Sequence, residues 1–226
     1  MNVVARGLRA ESHAPEGWSN RRRLCQYLLK ILWSGKYTPH YWNYLLVTAL
    51  FGIGNLSTSF LILQTKGVGA SFEATILIYA GVNLVAALIA YPAGSLSDRW
   101  ARRGVLLLSF IIFFIAYLGF ARAKSVPLIA TLFVFYGLFQ GMFRSVGKAF
   151  ASDFVPERLR ASGVGWYNTT VGLLGLVANI VAGLLWDRID HAAVFYYGAT
   201  FAIMGSMGLL VLVPGDRTTT PSRRPE

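Results

Sequence analysis

The 226-residue chain is 55% hydrophobic and only 14% charged, with mean hydropathy +0.51, a balance beyond that of an ordinary soluble domain. Its apolar residues gather in runs of the roughly 20 needed for a helix to cross a bilayer, which makes it an integral membrane protein. Lysine and arginine outnumber aspartate and glutamate 21 to 10; in a membrane protein such cations collect in cytoplasmic loops and set topology, so no nucleic-acid partner is implied.

In chain order, residues 1–20 are polar and mixed, without the apolar core of a cleavable secretory signal, and read as disordered. Residues 21–36 are basic and amphipathic: Leu24, Leu28 and Ile31 recur at helical spacing, with Arg23, Gln26 and Lys30 on other faces. This suits a short helix lying on an anionic bilayer surface, or a merely basic linker. Cys25 is the only cysteine, so neither an intrachain disulfide nor a Cys-based metal site is available. The domain expected over 37–214 holds six spans, at 41–63, 72–96, 104–121, 127–152, 164–185 and 193–213, and a basic tail follows over 215–226.

Counting cations orients the spans. With a cytoplasmic N-terminus, fifteen of the 21 fall on the cytoplasmic side, four (Lys66, Arg122, Lys124, Arg188) on the other, and Arg144 and Lys148 inside the fourth span. Both termini are therefore expected in the cytoplasm. Tyr41, Trp42, Tyr44, Trp100, Trp186 and Tyr196 stand near span ends, where aromatic belts form.

Between the second and third spans the chain reads GSLSDRWARRG, with four charges in the six residues from Asp98 to Arg103. Gly94, Asp98, Arg99, Arg102 and Arg103 closely resemble the signature loop of major facilitator superfamily transporters, with Ala101 where the family usually has glycine. Residues 133–187 resemble the tenth and eleventh helices of bacterial members, joined by an Asp-x-x-Pro-x-x-x-Arg loop that here is Asp153, Pro156 and Arg160. The resemblance covers about 40–213 and is to the C-terminal six-helix half of a protein that normally has twelve spans. It implies an all-α polytopic fold, residence in a bacterial inner membrane, and a charged loop that latches the cytoplasmic side. Gly94 would admit a neighbouring helix closely, Asp98 would face cationic neighbours, and the fifth span would supply one face of the latch. The plainer reading is that the arginines only set topology.

Polar residues inside the spans are candidates for a substrate cavity, since such groups turn toward a cavity or another helix. Asn55 and Ser59 share a face of the first span, Asn83 lies in the second, Gln140 and Arg144 share a face of the fourth, and Asn168 and Asn179 share a face of the fifth. Hydrogen bonding between helices accounts for the asparagines equally well. Arg144 is a cation without an evident local acid: it snorkels, pairs with Asp98 or Asp153, or attracts an anionic substrate. Every acid of the six-span region lies near a span end or in a loop, which gives poor support to proton coupling through a buried carboxylate. The expected function is transport of a small solute by alternating access, completed by a second six-helix half. The alternative is a non-transporting fragment or interaction subunit. No catalytic constellation, metal site or cofactor motif is evident.

Overall fold

The computed structural model describes residues 37–213, which form helices and short connections. The expected segments 1–20, 21–36 and 215–226, and Cys25, lie outside these residues. The helices are α1 (Pro39–Gly54), α2 (Thr58–Gly67), α3 (Phe72–Arg99), α4 (Arg102–Arg122), α5 (Val126–Asp153), α6 (Arg160–Arg188) and α7 (His191–Leu212), with one 3-10 turn, Glu157–Leu159, before α6. Together they make six spans long and apolar enough to cross a membrane, because α1 and α2 form one span between Pro39 and Gly67.

The helix starts follow local chemistry. Proline occupies the first turns of α1 and α5, where its missing N–H costs nothing. The Ser71 hydroxyl accepts from the Ala74 N–H and caps α3. Gly69, at φ +91°, makes the left-handed turn between α2 and α3 that a side chain would resist.

The first span is not the single helix expected from its hydropathy. It breaks at Asn55–Ser57, just past its middle. Asn55 and Ser57 are extended residues, Ser57 Oγ accepts from the Ser59 N–H, and the Ser57 N–H donates to Asn179 Oδ1 of α6 at 2.8 Å. Asn55 and Ser59 therefore do not share one helical face. A hydrocarbon core tolerates such backbone only where protein covers it or it lines a cavity. On the far side of the break, α1 is held against α7 by glycines: a Cβ at Gly54 would lie 3.1 Å from the Gly198 carbonyl oxygen, and one at Gly198 2.9 Å from that of Gly54.

The core is aromatic and sits where α1, α4, α5 and α7 meet. Phe51 stacks on Phe110 at 4.0 Å, Phe113 on Tyr117 at 3.8 Å, and Phe113 meets Phe139 edge-on at 4.7 Å. Lipid tails are as apolar as these rings, so their attraction comes from close packing and ring geometry, not from escape from water. α3 is attached to the bundle mainly through α5. Gly137 and Gly141, four residues apart on α5, permit tight contact with α3: a Cβ at Gly137 would lie 3.0 Å from the Val82 carbonyl oxygen, and one at Gly141 2.5 Å from that of Ala86.

Burial is uneven. The apolar windows of α3 and α6 are each only 11% buried, against 39% to 50% for the other four spans. Gly94 and Gly81 of α3 and Gly165, Gly172 and Gly175 of α6 face open space. The close approach of a helix expected at Gly94 is thus not made by any described residue.

Candidate functional site

Two groups of side chains collect the expected site residues, one at the charged turn and one along the open wall of the bundle. Only Trp100 and Ala101 separate α3 from α4, so Asp98 and Arg102 flank a tight turn. Arg102 Nη2 lies 3.3 Å from Asp98 Oδ1, and Arg102 Nη1 lies 3.2 Å from Asp153 Oδ1. One guanidinium therefore ties together the ends of α3, α4 and α5, using its planar fork to reach two carboxylates. The Arg102 side chain is 23% exposed, whereas Asp98 and Asp153 are 68% and 46% exposed.

The other expected loop residues go elsewhere. Arg103 donates to the Leu210 carbonyl oxygen at 2.5 Å, at the C-terminal end of α7, where unpaired carbonyls and the helix dipole favour a cation. Arg160 lies 3.7 Å from Glu157 within its own turn, and Arg99 is exposed at the end of α3. The face expected from the fifth span comes instead from the fourth, through Asp153. The expected pairing of Arg144 with Asp98 or Asp153 is not made: both acids meet Arg102, and no ion pair among the described residues involves Arg144.

The second group runs from the break in the first span along α5. Thr58 Oγ1 and the Tyr136 hydroxyl are 3.4 Å apart. One and two turns beyond Tyr136 come half-buried Gln140 and exposed Arg144, and Lys148, also exposed, follows. On α3, Asn83 is exposed and bonds its own helix through the Tyr79 carbonyl oxygen. Exposed Asn168 stands on α6 three residues past Gly165. Asn179 is committed to the break, as the reading by interhelical hydrogen bonding anticipated. Asn179→Ala is expected to cost about 0.6–1.7 kcal/mol, the range for polar contacts between membrane helices. Reversible unfolding in mixed micelles would measure it, and an unchanged midpoint would mean that the break holds without its cap.

Sequence reasoning did not single out Ser57, Tyr79 or Tyr136. The signal for Ser57 was available: Gly54-Asn55 is a helix stop, and Ser57 preceding a helical run is an N-cap. Tyr79 and Tyr136 carry no such mark, since only packing shows that Tyr79 is exposed on α3 and that Tyr136 is buried beside Thr58. Sequence reasoning also missed a cavity of about 450 Å³ at the opposite end of the bundle from Asp98, lined by Gln64, Val68, Lys124, Trp186 and His191. Among the described residues, no group of three or more His, Cys, Asp or Glu is placed to hold a metal ion.

Comparison with known proteins agrees with this architecture. A relative from Methanocaldococcus jannaschii, an uncharacterized MFS-type transporter, is 33% identical over 175 residues, which cover 75% of this chain and 44% of that protein. The quinolone resistance protein NorA of Staphylococcus aureus is 21% identical over 182 residues, covering 80% of this chain and 46% of NorA. An uncharacterized MFS-type transporter of Bacillus subtilis is 26% identical over 166 residues, covering 74% of this chain and the whole of that protein. Against the first and the second of these, the chain spans less than half the relative's length. The family model of the Major Facilitator Superfamily matches residues 17–226, and with six helices able to span a membrane the chain is an integral membrane protein belonging to that superfamily.

Proposed function

We propose that this chain is one half of a secondary transporter that moves a small solute by alternating access, with a second six-helix half seated on the outward faces of α3 and α6. The observation that carries this reading is the uneven burial. α3 and α6 are the two least buried spans, and their open faces hold small and polar residues, among them Asn83 and Gly94 on α3 and Gly165, Asn168 and Gly172 on α6. Polar side chains in contact with lipid are costly, whereas small residues let another helix approach closely. The match to less than half of two relatives supports a second half beyond the residues given.

In this reading Thr58, Asn83, Gln140, Arg144 and Asn168 line one wall of the solute path, and the break at Asn55–Ser57 stands at the depth where transporters of this kind bind substrate. The Asp98–Arg102–Asp153 cluster lies at the cytoplasmic end, and both termini are cytoplasmic, as the cation count favours. The host membrane is the bacterial inner membrane.

Photo-crosslinking in native membranes tests the partner. A benzophenone side chain at Ala87 of α3 or Thr169 of α6, both exposed, is expected to give a discrete protein adduct. The same probe at Leu108 of α4, which is 41% exposed, should label lipid only. Lipid adducts alone at all three positions would sink the half-transporter reading.

A further inference from the structure

Arg144 and Lys148 remain unexplained by the fold. Arg144 stands nine residues inside the Asp153 end of α5, about 13 Å at 1.5 Å per residue, so it lies well within the span. Both cations are exposed on the open wall, and no ion pair among the described residues involves either. The six acids of the described chain lie at span ends or in loops. An uncompensated cation at this depth is costly, so the wall calls for an anion from outside the described residues.

Snorkelling does not relieve this. Helical side chains lean toward the N-terminus of their helix, which on α5 is away from the nearer end and toward Gln140 and Tyr136. The guanidinium fork fits the two oxygens of a carboxylate or phosphate. Half-buried Gln140 and Thr58 add hydrogen-bonding groups on one side of it, and exposed Lys148 extends the positive field on the other. Resting on the reading of the chain as half a transporter, we propose that its solute is a small oxyanion, held through its charged group by Arg144 on the wall between α3 and α5.

The test uses the full chain, extracted with whatever second half accompanies it and reconstituted in liposomes on a solid-supported electrode. Sodium benzoate, citrate and phosphate are perfused as oxyanion probes and tetraphenylphosphonium as a cationic one. At least one oxyanion is expected to evoke a charge displacement. Arg144→Gln should raise its half-saturating concentration about tenfold or more, as expected for the loss of a hydrogen bond to a charged group. Arg144→Lys should recover most of that loss, and Lys148→Gln should raise the concentration by a smaller factor, which keeps the proposal open to test if Arg144→Gln does not fold. The response among the probes separates carboxylate from phosphate. A response to tetraphenylphosphonium alone, or an oxyanion response indifferent to Arg144→Gln, would overturn the oxyanion assignment and leave the transport reading standing. Separation of the chain from its partner in Arg144→Gln would overturn it too, because an acid of the second half would then be the counter-charge. Silence toward every probe together with failure of the crosslinking would bring down both readings.

Discussion

Gly141→Leu is expected to prevent assembly of the bundle. The Cβ atom alone would lie 2.5 Å from the Ala86 carbonyl oxygen and would overlap the Ile89 side chain, so the first obstacle is backbone that cannot rotate away. α3 and α5 would have to separate along their whole contact, which is the principal attachment of α3 to the bundle. Overpacking of this kind costs about 1–3 kcal/mol in cores that can adjust, and a clash with a carbonyl belongs at or above the upper end. Marginal stability turns such a loss into a large unfolded fraction. Size-exclusion chromatography in mild detergent should show a major loss of monodisperse protein relative to the unmodified chain. Gly172→Ala is the matched control. Nothing lies within 4 Å of its new methyl group, so the chain itself should be unaffected. If Gly141→Leu behaved like the control, the α3–α5 contact described above would be wrong.

Arg102→Ala is expected to do the opposite, leaving stability almost unchanged while altering conformational balance. Its two partners are substantially exposed, and exposed pairs contribute about 0.2–1 kcal/mol each. Losing both pairs would be a minor change for a six-span bundle. It would still shift a near-balanced equilibrium between two conformations by about twofold to thirtyfold, if the turn is ordered in one and released in the other. The readout is the alkylation rate of a cysteine placed at exposed Ser95 in a chain with Cys25 replaced by serine. That rate should change severalfold in Arg102→Ala and respond to ionic strength in the unmodified turn. Asp98→Asn and Asp153→Asn should each give part of the effect and, combined with Arg102→Ala, give less than the sum of the single changes, because coupled partners are not additive. An unchanged rate in all of them would leave the arginines with topology alone.

The contrast between these variants follows from where each kind of information lies in the chain. Six spans were legible because hydropathy over some 20 residues is a property of composition, and the apolar core of a bilayer selects on it directly. The charged turn was legible because charges near hydrocarbon are rare and their spacing from Gly94 to Arg103 is distinctive. The break at Asn55–Ser57 was written in Gly54-Asn55 and Ser57, but an apolar window averages over such short signals, and the first span reads as continuous.

What the sequence determined by itself was the membrane fold, the family and the set of polar residues at depth. Which of those residues meet was decided by tertiary packing. Arg102, and not Arg144, holds Asp98 and Asp153, because the two-residue turn brings the ends of α3, α4 and α5 within reach of one guanidinium. Asn179 serves the break because α6 passes beside Ser57, across 122 residues of sequence separation. Hydropathy is read residue by residue, but a hydrogen bond or an ion pair depends on distance and angle between two helices. In this bundle those follow from glycine contacts such as Gly141 with Ala86 and Gly54 with Gly198, where the missing side chain sets how closely two backbones come.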